Sequence, residues 1–171
     1  VNSRFLLFDL DGTLTDPKLG IVRCMRHALD RLNRPCPTDN VLATFIGPTL
    51  RSTFSTLLET TEHELIEKAV SLYRERFAET GIYENQLYDG VHEMLDSLKQ
   101  AASVLFVATS KPTVYAERIV RHFGIDHYFA GADRNSTDGS TTNPICSRTC
   151  WRRRGSPLRS RSWWATGLRI Y

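Results

Sequence analysis

The sequence predicts an α/β fold: a parallel-sheet core interrupted by an inserted helical domain. Three observations carry that expectation. Two short, almost continuously apolar runs, residues 4–9 (RFLLFD) and 105–109 (LFVAT), each end in polar residues. Such runs are the pattern of strands buried on both faces, as in a parallel sheet. Helical patterns follow both runs, and strand–helix alternation argues for parallel winding. Residues 17–87 hold a helical pattern too long for a single crossover, so they read as an insertion.

In chain order, residues 4–9 give the first strand, and Asp11-Gly12 breaks it as a turn. Ile21, Cys24, Met25, Ala28, Leu29 and Leu32 recur at helical spacing and make one apolar face, with Cys24 at a core position. Leu50, Phe54, Leu57 and Leu58 do the same. Thr61-x-x-Glu64 reads as a capping box opening a helix that carries Leu65, Ile66, Ala69, Val70, Tyr73 and Phe77 inside. A helix over residues 91–101 is expected to bury Val91, Met94, Leu95 and Leu98. Strand 105–109 leads to a helix from about 113 to 123, stopped by Gly124. Residues 127–130 read as a third strand. The organisation expected is a Rossmann-like α/β core from residues 1–16 and 88–131, an inserted α-helical domain over 17–87, and an irregular, disordered tail over 132–171. Hinges are expected near Asp16-Pro17 and Tyr88-Asp89-Gly90.

Composition fits a soluble globular protein, with 41% hydrophobic and 24% charged residues. No apolar run approaches the roughly 20 residues of a membrane span, and no signal-peptide layout opens the sequence. A cytoplasmic location is therefore expected, with Cys24, Cys36, Cys146 and Cys150 as free thiols. Cys146 and Cys150 have neither a second pair nor a nearby His, so a zinc site is not expected. The net charge of +3 hides a split. Residues 1–131 carry 14 Lys+Arg against 17 Asp+Glu, a net −3, whereas residues 132–171 carry 8 Arg and 2 Asp, a net +6. All three Trp (Trp151, Trp163, Trp164) lie in that last stretch.

The sharpest chemical feature is FDLDGTLTD, residues 8–16. Asp9 and Asp11 stand at a strand's end, where open α/β sheets bind ligands. One carboxylate of such a pair can attack phosphorus and form an aspartyl-phosphate. The other can protonate the leaving oxygen and then activate water. Two carboxylates repel a phosphate dianion, so a divalent cation is required, and Mg²⁺ suits oxygen ligands and phosphate. In the turn Gly12-Thr13, glycine permits a bend that aims N–H groups at phosphoryl oxygens. A calcium loop is excluded, because no acidic residue follows at loop spacing and the motif leaves a strand. At the second strand end, Thr109, Ser110 and Lys111 bring hydroxyls and a cation towards phosphate. Their alternative reading is a helix start capped by Ser110. Arg51, in Gly47-Pro48-Thr49-Leu50-Arg51, can pair with a substrate carboxylate or phosphate, or be a solvated surface residue. His63, His92, His122 and His127 read as structural.

FDLDGTLTD resembles the first motif of the haloacid dehalogenase-like phosphohydrolases. YDGVHEMLDSL (residues 88–98) and LFVATSKP (residues 105–112) resemble the phosphoglycolate phosphatase and nucleotidase-type branch, which has a helical cap after the first motif. The resemblance covers roughly residues 4–131. It implies Asp9 as nucleophile, Asp11 as general acid/base, and Mg²⁺ held by Asp9 and the Asp11 backbone carbonyl. It also implies Thr109 as the hydroxyl that binds the transferring phosphoryl group. The function expected is Mg²⁺-dependent hydrolysis of a small phosphorylated metabolite, phosphoglycolate- or nucleotide-like. A sugar phosphomutase of the same fold is the enzymatic alternative. No membrane partner is expected, and the oligomeric state is left open.

The same resemblance calls for a later Lys and a further strand ending in Gly-Asp with acidic metal ligands. After Phe129 the sequence supplies neither, so this chain is expected to have little or no phosphatase activity. Two readings of residues 132–171 stand open. One is a basic tail, whose Arg and Trp would suit a nucleic-acid-binding module. The other is a shifted reading frame. Taking the third base of each codon with the first two of the next, Trp163-Trp164 forces Val and Trp164-Ala165 forces Gly. Ala165-Thr166 permits Asp and Thr166-Gly167 permits Arg, so that frame admits Val-Val-Gly-Asp-Arg. Upstream, Cys150-Trp151 forces Leu, and Thr142-Asn143 permits Lys about where the missing Lys should fall. One frame thus admits the absent parts in order.

Overall fold

The computed structural model describes residues 5–130 and the short strand at 145–147. The expected disorder of residues 132–171, their basic nucleic-acid reading, and Cys146 and Cys150 as thiols otherwise lie outside the described residues. The chain divides into two compact units: Thr15–Leu87, and the segments on either side of it.

The flanking unit is built on a parallel sheet. Strand β1 (Phe5–Phe8) pairs with β4 (Val104–Thr109), in register Phe5↔Val104 to Phe8↔Val107. β4 pairs in turn with β5 (Ile145–Ser147), so the order is β1-β4-β5. β5 is a three-residue departure from the irregular tail expected there. Helix α5 (Val91–Gln100) precedes β4, and α6 (Thr113–His122) follows it. Gly90 adopts φ +78 just before α5, and Gly124 adopts φ +65 just after α6, backbone conformations that glycine accepts without strain. Val91 and Leu95 of α5 and Ala116, Ile119 and Val120 of α6 are buried. Met94, expected inside, is 37% exposed, because it falls one position off the buried stripe that Leu95 occupies.

Residues 127–130 are not a strand. A single turn of 3₁₀ helix, Asp126–Tyr128, comes first, and then Phe129 makes one parallel bridge to Leu105. Side-chain bonds favour the turn: the Tyr128 hydroxyl donates to Asp96 Oδ1 at 2.7 Å, and Lys99 Nζ donates to the Tyr128 carbonyl at 3.3 Å.

The inserted unit is helical. It opens and closes on a two-stranded antiparallel ribbon, β2 (Thr15–Asp16) with β3 (Gln86–Leu87). Between them run α1 (Lys18–Arg31), α2 (Asp39–Ala43), α3 (Leu50–Leu57), α4 (His63–Arg76) and a π-helical turn, Phe77–Gly81. Cys24, Met25, Ala28 and Leu29 of α1 are buried, as the helical spacing requires. So are Phe54, Ala69, Val70 and Tyr73. The Thr61 capping box does not form. α4 starts one residue later, from Glu62, and it is the Thr60 hydroxyl that accepts from the Glu62 N–H at 3.1 Å. Among the described residues no helix is long and apolar enough to cross a membrane.

Candidate active site

The candidate site forms where β1 and β4 end side by side. Parallel strands place their carboxyl ends together: Asp9, the residue after β1, continues the register at the level of Ala108, one step before Thr109, the last residue of β4. Asp9 is exposed, and its Oδ1 accepts a 2.7 Å hydrogen bond from the Leu10 N–H. After Leu10 the chain turns tightly. The N–H groups of Thr13 and Leu14 both donate to the Leu10 carbonyl, at 3.3 and 3.0 Å. Gly12 takes φ +76 in this turn, and a Cβ there would meet nothing within 4 Å. A side chain at Gly12 is therefore disfavoured by the backbone conformation, not by crowding. Leu10 and Leu14 are fully buried and anchor the turn, while Gly12 and Thr13 face solvent.

At the end of β4, Thr109 is 3% exposed and its Oγ1 accepts from the Lys111 N–H at 3.3 Å. Lys111 stands two residues past the strand end, with a largely buried side chain. Its Nζ lies 2.8 Å from Asp11 Oδ2. The other oxygen of that carboxylate, Asp11 Oδ1, is buried and has no hydrogen-bond partner among the described residues. Ser110 is exposed, and the residue before α6 is Pro112, with no side-chain cap. The helix-capping alternative for Ser110 therefore has no bond to support it.

The structure thus brings Asp9, Asp11, Gly12, Thr13, Thr109, Ser110 and Lys111 to one sheet end. Arg51 belongs to the inserted unit, where its guanidinium is engaged by the Glu67 carboxylate, Nε on Oε1 and a second bond of 3.1 Å to Oε2. Any substrate anion would have to displace that carboxylate. The Asp11–Lys111 pair has no signature in the sequence, because the two residues are brought together only by strand pairing.

A hard cation fits the donor set. The exposed Asp9 carboxylate offers oxygen atoms that suit such an ion, whereas the Asp11 side chain is paired with Lys111 through Oδ2. Among the described residues no group of three His, Cys, Asp or Glu side chains could hold a metal.

Residues 6–132 match the family model of the haloacid dehalogenase-like hydrolases. The chain belongs to that family. This haloacid dehalogenase-like hydrolase is 46% identical over 138 residues to a 5'-nucleotidase of Pseudomonas aeruginosa, covering 81% of the chain and 62% of the relative. It is 39% identical over 142 residues to the tyrosine-protein kinase PtkA of Mycobacterium tuberculosis, covering 83% of the chain and 48% of the relative. To a phosphoglycolate phosphatase of Haemophilus influenzae it is 32% identical over 144 residues, covering 76% and 62%. A crystal structure of a Clostridium difficile protein named as a phosphatase aligns with a TM-score of 0.70 at 45% identity, over 76% of this chain and 60% of that one. The chain therefore spans about half to three-fifths of the length of the curated relatives it matches.

Proposed function

We propose that the strand-end site is that of a Mg²⁺-dependent phosphomonoester hydrolase working through an aspartyl-phosphate on a small metabolite, a nucleoside monophosphate or phosphoglycolate. The observation that carries this reading is the placement of Asp9 and Asp11 beside Thr109 and Lys111 at one sheet end. Asp9 is the nucleophile: a carboxylate oxygen bonds to phosphorus as the ester P–O bond breaks. The leaving oxygen takes a proton from Asp11. Water then attacks phosphorus, gives its proton to Asp11, and the P–O bond to Asp9 breaks. Thr109 and the turn at Gly12-Thr13 hold the phosphoryl oxygens, and Lys111 supplies positive charge. Two unit charges about 4 Å apart interact by roughly 4 kcal/mol near a protein surface, so the cation offsets a substantial repulsion. Bound Mg²⁺, on the Asp9 carboxylate and the Asp11 backbone carbonyl, would neutralise phosphate charge further.

The later Lys and the Gly-Asp acidic ligands are not found among the described residues, so the 171-residue chain itself should turn over slowly. The test compares it with the same chain continued in the shifted frame, on p-nitrophenyl phosphate, nucleoside monophosphates, phosphoglycolate and a hexose phosphate, with and without Mg²⁺. Mg²⁺-dependent phosphate release by the continued chain, abolished by Asp9→Asn, is the expected result. Release that survives Asp9→Asn overturns the reading, as does phosphate retained on a hexose, which marks a mutase.

A further inference from the structure

β1 is the end strand of the described sheet: the order runs β1-β4-β5, and its outer edge has no partner strand among the described residues. Burial of this sheet is one-sided. Leu105, Val107 and Thr109 of β4 are buried, whereas Val104, Phe106 and Ala108 between them are only half-buried. The strands step in one direction from β1, so right-handed crossovers set α5 and α6 together on the buried face. Paired residues of neighbouring strands share a face. Phe5 and Leu7, level with Val104 and Phe106, therefore belong to the open face, where they are 59% and 58% exposed. The Phe106 ring stands beside Phe5, with centroids 6.4 Å apart.

An open edge and an open apolar face thus coincide on Phe5–Phe8. Neither a proline nor a charged side chain interrupts these residues, and those are the usual devices that keep an edge strand from pairing. The charges stand at the ends: Arg4 precedes the strand and Asp9 follows it. A parallel partner of the same sequence would set like charges together at each end. An antiparallel partner sets the basic entry of one strand near the acidic exit of the other. The strand is therefore its own complement under a two-fold axis.

The register follows from the faces. An axis normal to the sheet keeps both open faces on one side, so each residue must oppose one of the same parity. Centring the axis on Leu7 or Phe8 would set Phe5 or Leu7 opposite the Asp9 carboxylate. Centring it on Phe5 would set Leu7 opposite Ser3, outside the strand. Centred on Leu6, the axis opposes Phe5 of each copy to Leu7 of the other, and the four exposed side chains close into one apolar cluster. Asp9 of one copy then lies about 20 Å from Asp9 of the other, six residues along the strand, so the two strand-end sites stand apart.

We propose that the outer edge and open face of β1 are a self-association surface, on which a second copy of this chain pairs antiparallel through its own β1, with the two-fold axis at Leu6. The pairing uses each edge once and so stops at a dimer. The shared patch is one short strand from each copy, well below the roughly 1,600 Å² of a standard interface, so the dimer is weak and concentration-dependent. None of the readouts below is turnover, so this surface stands or falls apart from the proposed activity.

The test is sedimentation equilibrium of the full 171-residue chain from about 10 µM to about 1 mM, the range of a weak complex. A monomer–dimer equilibrium with nothing larger is expected. Amide exchange on the outer edge of β1 should slow at least about tenfold between the dilute and the concentrated chain. Leu7→Lys should weaken the dimer at least about tenfold, while Met94→Lys, exposed on α5 on the other side of the sheet, should leave it unchanged. Leu7→Ala repeats the test with a smaller loss should a lysine disturb the sheet. Arg4→Asp, which makes both strand ends acidic, should also weaken the dimer, and more so at low salt. A chain that stays monomeric throughout overturns the proposal, as do assemblies that grow past the dimer. Equal weakening by Leu7→Lys and Met94→Lys overturns it too. So does β1 exchange that is slow at every concentration, which would mean that the chain's own residues cover the edge.

Discussion

Lys111 Nζ rests 2.8 Å from Asp11 Oδ2, although the whole inserted unit separates the two residues in sequence. The Lys111 side chain is 9% exposed, so its charge lies in a sheltered position next to the carboxylate proposed to carry protons. Replacing it by Met should lower kcat/KM of the continued, active chain about 100-fold, consistent with roughly 2–3 kcal/mol for a charged hydrogen bond at a site. Lys111→Arg should recover part of the loss. Steady-state kinetics on a nucleoside monophosphate check this, and an unchanged kcat/KM in Lys111→Met would remove Lys111 from the site.

The two aspartates should fail in different ways. Asp9→Asn should block acid-stable labelling of the protein from a ³²P-phosphate ester altogether. Asp11→Asn should slow both steps, because the leaving group and the water lose their proton partner. Autoradiography after a short incubation separates the two, and label on Asp9→Asn would reassign the nucleophile.

Of the glycines in the inserted unit, Gly20 leaves the least room for a side chain. A Cβ there would lie 2.1 Å from the Gly81 carbonyl oxygen and 2.8 Å from that of Glu84. Both obstacles are backbone, and the Gly20 N–H also donates to Glu84 O at 2.9 Å. Gly20→Ala should therefore destabilise the unit by about 2–3 kcal/mol or more, an overpacking cost without flexible relief. Thermal melts followed by circular dichroism measure it, and a wild-type melting temperature would contradict the contact.

Glu84 is the acid-sensitive link of the same unit. Arg76 binds it through bonds of 2.7 and 3.0 Å, and Arg23 adds one of 2.7 Å. The Arg76 hydrogen bonds hold its carboxyl below the usual carboxylate range against the opposing effect of burial, and Arg23 assists. A depressed folded-state pKa contributes stability that is present above the unfolded value, about 4.3, and is lost as pH falls through the folded value. Glu84→Gln should cost about 1–3 kcal/mol at neutral pH and flatten the acid limb of the stability curve. Urea midpoints at pH 7 and pH 3.5 test this. An equal loss at both pH values would show that the charge of Glu84 is not what matters.

Local patterns proved readable in α1, where burial on one face imposed a period, though the same reasoning misplaced Met94 of α5. Cys24, Met25, Ala28 and Leu29 were placed by spacing alone, since an amphipathic helix must turn those positions inward. Reading failed where a short-range competitor won. Thr60 rather than Thr61 satisfies the start of α4. The apolar residues at 127–130 looked like a strand, but Tyr128 finds Asp96 and Lys99, and those bonds fix a turn.

The sequence by itself determined the chemistry: two carboxylates at a strand end, a glycine turn, and a Thr-Ser-Lys run at a second strand end. It also marked the point, near residue 132, where charge and pattern change together. Only the tertiary structure decided which groups touch. Parallel pairing of β1 with β4 brought Asp11 to Lys111, and the inserted unit engaged Arg51 with Glu67. The same pairing left Phe5 and Leu7 uncovered. The physical reason is common to all three. Side-chain period reports which face of an element is buried, whereas the partner on that face is set by strand order and register, which act across long stretches of chain.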